Sequence, residues 1–240
     1  MRNALRNLRE RVYEANMALV KHGLVILTWG NASEIDRKQG IFGIKPSGVP
    51  YENLRPEHIV LLDLEGKVVD GKLRPSSDTP THLVLYQRFE EVGGIVHTHS
   101  RYATAWAQAM RPLPCFGTTH ADAFYGAVPC TRPLTDEEIA SDYERHTGLV
   151  IIETFQNLSL NPLDVPAVLV AQHAPFTWGK DAAKAVENAV TLEEVAAMAL
   201  WTLVAQEAWQ KLPPVSQSLL DKHFWRKHGE GAYYGQGSGI

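Results

Sequence analysis

The sequence predicts an α/β (α+β-like) fold, a single-domain sandwich with a central, largely antiparallel sheet between helix layers. Three observations carry that prediction. Hairpin signals and direct strand-to-strand turns outnumber helical crossovers, which disfavours a parallel, doubly wound sheet. Helix and strand signals alternate along the chain without an obvious linker. The 240 residues suit one sizeable core that needs no covalent staples.

The elements follow in order. Leu5, Leu8, Val12, Ala15 and Leu19 recur at three and four residues, which makes one apolar stripe on a helix. Gly23 suits its end. Leu24 to Thr28 reads as a buried strand. Gly30-Asn31 is a turn signal, with a second strand near Ala32 to Ile35. Ile41 to Ile44 is a third, closed by Lys45-Pro46-Ser47-Gly48. Ile59 to Leu64, then Glu65-Gly66, then Lys67 to Val69 reads as a hairpin. Ser76-Ser77-Asp78-Thr79-Pro80 opens a helix that runs to about Phe89. Ser or Asp can cap it, and Pro suits the first turn. Gly94 to His99 is a strand, and Arg101 to Met110 a helix. Leu149 to Thr154 and Ala167 to Ala171 read as short strands. Asp181 to about Trp209 is a long helix, and Ser216 to His228 a last one. The domain is expected to span residues 1–234, with 235–240 as a loose, glycine-rich tail.

Composition excludes several classes. The hydrophobic fraction is 45% and the charged fraction 21%, as in ordinary globular chains. A net charge of −4 offers no basic face for nucleic acid. Cys115 and Cys130 are too few for a disulfide framework and are expected to be reduced thiols. The N-terminus has no apolar h-region, and no apolar run approaches the roughly 20 residues that span a bilayer. A cytoplasmic protein without membrane partners is the expectation.

His97 and His99 head the chemical candidates. Residues i and i+2 of a strand face the same side, so two imidazoles share one space. Neutral imidazole is a common ligand for zinc and similar ions. The pair is equally compatible with histidines on a solvated or hydrogen-bonded strand face. His173 follows an apolar strand and precedes Ala174-Pro175, where a plain turn residue is the simpler reading. Asp78 stands where a helix cap belongs. His22, His58, His82, His120, His146, His223 and His228 have no partner at ligand spacing. Three polar turns, Gly30-Asn31, Ser47-Gly48 and Ser76-Ser77, have the hydroxyls and free N–H groups that suit a phosphate. Each alone is also an ordinary turn. The chain has no GxxxxGK[ST], GxGxxG, HExxH or GxSxG motif, so nucleotide, zincin and serine-hydrolase sites are not indicated. Spacing alone does not single out Asp122 or Tyr234 as acid–base groups.

Taken together, these motifs closely resemble the 4-epimerase members of the class II aldolase/adducin family. The resembling stretches begin with Leu27-Thr28-Trp29-Gly30-Asn31, Ile44-Lys45-Pro46-Ser47-Gly48 and Pro75-Ser76-Ser77-Asp78-Thr79-Pro80-Thr81-His82. Gly93-Gly94-Ile95-Val96-His97-Thr98-His99-Ser100, Gly117-Thr118-Thr119-His120-Ala121-Asp122 and Ile139 to Glu144 continue them. Pro175-Phe176-Thr177-Trp178-Gly179-Lys180, Leu220-Asp221-Lys222-His223 and Tyr233-Tyr234-Gly235-Gln236 complete the set. The similarity covers nearly the whole chain, with no departure at the functional positions and a short extra tail after Gln236.

The resemblance implies a class II aldolase fold. It implies one divalent ion per subunit, zinc foremost although related enzymes accept others, held by Asp78, His97, His99 and His173. Gly30, Asn31, Ser47, Gly48, Ser76 and Ser77 would line the substrate site, mostly around a phosphate. Asp122 and Tyr234 would be the proton donor/acceptor pair. A homotetramer with sites at subunit interfaces is implied, so both could serve a neighbour's metal, with His223 close by. The implied reaction interconverts L-ribulose 5-phosphate and D-xylulose 5-phosphate. The C4 proton is not α to the carbonyl, so inversion proceeds by retro-aldol cleavage of C3–C4. The aldehyde rotates and adds back through its other face, with one acid/base group on each face. A class II sugar-phosphate aldolase is the alternative. Its metal-site acid is typically a glutamate at a neighbouring position, so Ser76-Ser77-Asp78 favours the epimerase. A non-catalytic adducin-like protein is a further alternative, against which the intact metal set argues. Resemblance leaves the pathway open, between L-arabinose use and L-ascorbate or L-xylulose use.

Overall fold

The protein was analysed as a computed structural model, which describes residues 2–206, 212–228 and 232. Among the described residues seven strands form one sheet in the order β4-β3-β2-β1-β5-β7-β6, and every neighbouring pair is antiparallel. They are β1 (Asn31–Asp36), β2 (Ile41–Ile44), β3 (Val60–Asp63), β4 (Val68–Asp70), β5 (Gly94–His97), β6 (Ala167–Leu169) and β7 (Pro175–Gly179). The helices are α1 (Arg2–Lys21), α2 (Thr79–Arg88), α3 (Arg101–Gln108), α4 (Thr118–Ala121), α5 (Asp136–Ala140), α6 (Tyr143–Asn157), α7 (Ala182–Ala205) and α8 (Gln217–Trp225).

Alternation along the strands divides the core. Ile35, Phe42, Ile44, Leu62, Ile95, Phe176 and Trp178 pack with Val84 and Leu85 of α2, Phe89 just past its end, and Ile151, Ile152 and Phe155 of α6. On the opposite face, Ala32 and Val96 meet Ala15 and Leu19 of α1 and Ala182, Ala185 and Ala189 of α7. The α1 stripe lies where its spacing puts it. Leu8, Val12 and Leu19 are fully buried, each contributing about 1.5–3 kcal/mol. Helices therefore cover both sheet faces, as expected. Among the described helices, α7 alone is long and apolar enough to cross a membrane by composition. Here it packs on β5 and β7.

Two expected strands are corrected. Leu24 to Thr28 is a connecting segment that joins no ladder. Leu24 is buried, but Leu27 is 73% exposed with φ of 56°, outside the extended region. Leu149 to Thr154 lies inside α6. Its buried residues are Thr147, Gly148, Val150, Ile151, Ile152, Thr154 and Phe155, one face at the three-and-four spacing that a helix uses. The β5 strand also ends at His97, two residues early, and β7 was not foreseen.

Gly93 marks the tightest approach in the sheet, at the end of the β5–β7 pair opposite His97. Its N–H donates to the Gly179 carbonyl (2.8 Å) and its carbonyl accepts from Ile35 N–H (2.9 Å). A Cβ there would stand 1.9 Å from the Lys180 oxygen. Only glycine lets the chain enter β5 this close to the end of β7.

Candidate active site

The end of β5 meets the start of β7, and this junction builds the site. His97 pairs with Asn31 of β1 on one side and Phe176 of β7 on the other. The Phe176 ring stacks on the His97 imidazole at 4.2 Å and 17°. His173 comes from the tight β6–β7 turn, closed by hydrogen bonds from Val170 N to Ala174 O and from His173 N to Val170 O, each 3.0 Å. Because β5 and β7 are antiparallel neighbours, that turn lies beside His97. His99 lies just past β5. The ligand atoms of His97, His99 and His173 all fall within 4.8 Å of one another.

The chemistry of this set fits a divalent ion. The Pro175 carbonyl can only accept, so His97 Nδ1 carries the proton that bonds it at 3.0 Å. That leaves the lone pair on His97 Nε2, which faces His99 Nε2 at 3.2 Å. Two nitrogens on a tetrahedral zinc ion, each bonded at about 2.0–2.1 Å, lie about 3.3 Å apart. Burial lowers the His97 pKa to about 3, reinforced by the neighbouring His99. Burial, then His97 and His99, lower His173 to about 3 as well, and burial lowers His99. All three are therefore neutral near pH 7 and able to donate a lone pair. The Tyr143 hydroxyl lies 3.4 Å from His173 Nδ1.

Asp78 is not acting as a helix cap. It occupies the position before α2, yet its side chain makes no cap hydrogen bond. Ser76 takes over that role: its carbonyl accepts from Thr79 N (3.1 Å) and Thr79 Oγ1 (2.6 Å). Asp78 Oδ2 instead accepts from Asn31 Nδ2 at 2.6 Å. Its charge acts against the lowering of His99 and His173. The tightest set comprises the three histidines, and Asp78 lines the same cleft.

The three polar turns converge on this cleft, whose volume is about 620 Å³. Ser47 N donates to Arg74 O and Ser76 N to Lys45 O, both at 3.0 Å, which joins two of the turns. Gly30 has φ of +76°, and a Cβ there would be 2.8 Å from the His97 oxygen. Gly30, Asn31, Ser47, Gly48, Ser76 and Ser77 all line the cleft with Asp78, His97, His99 and His173. Asn31 Oδ1 is buried without a hydrogen-bond partner among the described residues, an open acceptor at the cleft wall.

Sequence reasoning missed Lys45, Tyr143 and Glu144, which also line the cleft. Lys45 is 1% exposed. Its ammonium makes one long hydrogen bond, to the Pro46 carbonyl at 3.4 Å, and no carboxylate pairs with it among the described residues. Burial pushes its pKa down to about 8. The signal was present: a lysine directly after the apolar run Ile41 to Ile44, where a charge is expensive without a purpose.

Asp122 is not among the cleft residues of its own chain. It ends α4 and is held by the end of α8. Arg226 Nη2 (2.6 Å), His223 Nδ1 (2.9 Å) and Lys227 Nζ (3.2 Å) all reach its carboxylate. Burial works to raise its pKa, but the hydrogen bonds from Arg226, His223 and Lys227 outweigh this and lower it. His223 thus lies beside Asp122. Tyr234 and the tail 235–240 lie outside the described residues.

Comparison with known proteins agrees with this geometry. The class II aldolase and adducin N-terminal domain model matches residues 10–200. A protein named L-ribulose-5-phosphate 4-epimerase UlaF, from Salmonella paratyphi B, is 54% identical over 232 residues, covering 97% of this chain and 100% of the relative. A solved L-fuculose 1-phosphate aldolase shares the fold, with TM-score 0.72 and 22% identity over 92% of this chain and 95% of its own. An L-fuculose 1-phosphate aldolase from Glaciozyma antarctica gives TM-score 0.73 at 21% identity, over 95% of this chain and 84% of its own. The match of the family model to most of the chain, and the end-to-end likeness to that curated relative, show that the chain belongs to the class II aldolase and adducin N-terminal domain family.

Proposed function

We propose that the chain is a metal-dependent epimerase that interconverts L-ribulose 5-phosphate and D-xylulose 5-phosphate by breaking and remaking C3–C4. The observation that carries this reading is one cleft that joins two chemistries. Three neutral imidazoles with Asp78 line it together with a buried ammonium, two hydroxyl turns and a helix start. The name borne by the 54%-identical relative supports the same substrate. A divalent ion, zinc in this proposal, would be held by His97, His99, His173 and Asp78 and would supply Lewis-acid polarisation of the sugar oxygens.

The chain's own residues do the rest. Lys45, the Ser47-Gly48 turn and the α2 start with Ser76 and Ser77 hold the phosphate. That grip keeps the aldehyde fragment in place while its carbonyl turns over. Asn31 Oδ1 accepts from a sugar hydroxyl. Asp122, held as a carboxylate, receives the C4 hydroxyl proton on one face as C3–C4 breaks. Tyr234 gives its proton to the C4 oxygen as C3–C4 re-forms on the other face, and proton exchange with solvent resets the pair. Because Asp122 is absent from its own cleft, a neighbouring copy supplies it, in a homotetramer whose sites lie between subunits.

The test is incubation of purified protein with L-ribulose 5-phosphate, monitoring D-xylulose 5-phosphate. Conversion that stops with chelator and returns with added zinc is the expected result. Accumulation of free glycolaldehyde phosphate would favour the aldolase reading instead.

Lys45→Gln should raise KM for the sugar phosphate by about 10- to 100-fold, the worth of a charge-assisted hydrogen bond, and change kcat less. The pH profile follows from the sign of the shift. With a pKa near 8, Lys45 binds anions as the ammonium at neutral pH and loses that charge as pH rises through about 8. KM in the unmodified enzyme should therefore climb above pH 8, and Lys45→Gln should flatten that limb. Steady-state kinetics between pH 6.5 and about 9.5 checks both.

A further inference from the structure

Tyr51 stands behind the phosphate end of the cleft and is 4% exposed. It begins a 3-10 turn, Tyr51–Asn53, directly after Pro50. Leu8 and Val12 of α1 pack around it with Leu54, Ile59 and Leu61. Its place is therefore set by the hydrophobic core, before any ligand arrives.

Its two ends serve two different parts of the cleft. The Lys45 ammonium lies 4.7 Å from the centre of its ring. Its hydroxyl donates to the Gly30 carbonyl at 2.9 Å and the Trp29 carbonyl at 3.2 Å. Those carbonyls belong to the turn that presents Asn31. One rigid side chain thus spans the lysine and the Gly30-Asn31 turn.

The choice of an aromatic ring has an electrostatic reason. A buried ammonium needs a partner, and a carboxylate would be the stronger one. A carboxylate would also cancel the charge that an anion must find. A ring face attracts the ammonium through its quadrupole and leaves the net charge in place. The hydroxyl meanwhile satisfies carbonyls of a loop outside the ladders, where a buried acceptor needs a donor.

We propose that Tyr51 is a positioning residue for anion recognition, holding the Lys45 ammonium toward the cleft without neutralising it and bracing the Gly30-Asn31 turn at a fixed distance from it. This rests on the reading of Lys45 as a phosphate-binding group.

The test compares Tyr51→Phe, Tyr51→Leu, Lys45→Gln and the Tyr51→Leu/Lys45→Gln double variant, all as metal-loaded full-length protein. Two readouts are needed: the Kd of inorganic phosphate by titration calorimetry, and KM and kcat for L-ribulose 5-phosphate. Tyr51→Leu should weaken phosphate binding and raise KM by roughly five- to tenfold, with kcat changed much less. Tyr51→Phe keeps the ring and should lose only about two- to threefold, from the freed turn. In the Lys45→Gln background, Tyr51→Leu should add little, because residues acting through one another are non-additive. Full additivity, or a fall in kcat and melting temperature at unchanged phosphate Kd, would make Tyr51 a packing residue and overturn the proposal. If Lys45→Gln itself left phosphate Kd and KM unchanged, the reading of Lys45 would fail first and the proposal with it.

Discussion

Replacing His97 by alanine is expected to abolish bound metal and turnover together. His97 is buried, its ring is stacked on Phe176, and its Nδ1 proton is committed to Pro175 O. Those contacts fix the lone pair of Nε2 in the direction of His99. Losing a partner that merely orients a ligand lowers metal affinity about 10- to 100-fold, so losing the ligand itself should exceed that. The substitution also leaves Pro175 O without its donor, a stability loss of about 1–3 kcal/mol. His97→Asn, which keeps a donor in the same place, separates the two effects. Metal content by elemental analysis, circular dichroism and epimerisation rate should be read on both variants. Stoichiometric metal at a normal rate would sink the metal assignment.

Asp122→Asn is expected to keep the metal and lose about 10²- to 10⁴-fold in rate, the usual worth of a general acid–base group. Asp122 touches none of the three histidines, so metal content should stay at the unmodified level. The difficulty is that Asp122 also has a structural environment. Arg226, Lys227 and His223 surround its carboxylate, and neutralising it leaves the Arg226 and Lys227 cations repelling one another at the join of α4 and α8. The rate must therefore be compared with oligomeric state and melting temperature. A slow enzyme with intact assembly and metal supports the acid–base role. An unchanged rate removes Asp122 from the mechanism.

Much of this architecture was legible before any coordinates. Ile41 to Ile44 is a strand in both accounts because the following Lys-Pro-Ser-Gly ends it sharply. The alternation of the hairpin region places its strands within a residue or two. Leu149 to Thr154 failed for a stated reason. A run of four apolar, partly β-branched residues is ambiguous between a buried strand and a helix, and the packing of α6 on α2 decides for the helix. The His97/His99 pair was readable from a spacing of two. His173 was not, since only the β5–β7 pairing brings it across 76 positions of chain to His97. Lys45 was marked in the sequence only by its place after an apolar run; the missing counter-ion that makes it important is a matter of packing. Asp78 was ambiguous by rule, as a residue type that caps helices. Ser76 takes over the end of α2, so the Asp78 carboxylate turns to Asn31 and the cleft instead of capping the helix.

The placement of Asp122 on the α4–α8 join, outside its own chain's cleft, has a genetic meaning. If each working centre takes its metal half from one polypeptide and its Asp122 from the next, loss-of-function alleles fall into two groups that can rescue one another. A chain lacking His97 still donates Asp122, and a chain lacking Asp122 still carries the histidines. In a ring assembled at random from equal amounts of the two, about a quarter of the junctions would pair one intact half with the other. Two null alleles expressed together would then support growth that neither supports alone, and alleles within one group would not complement.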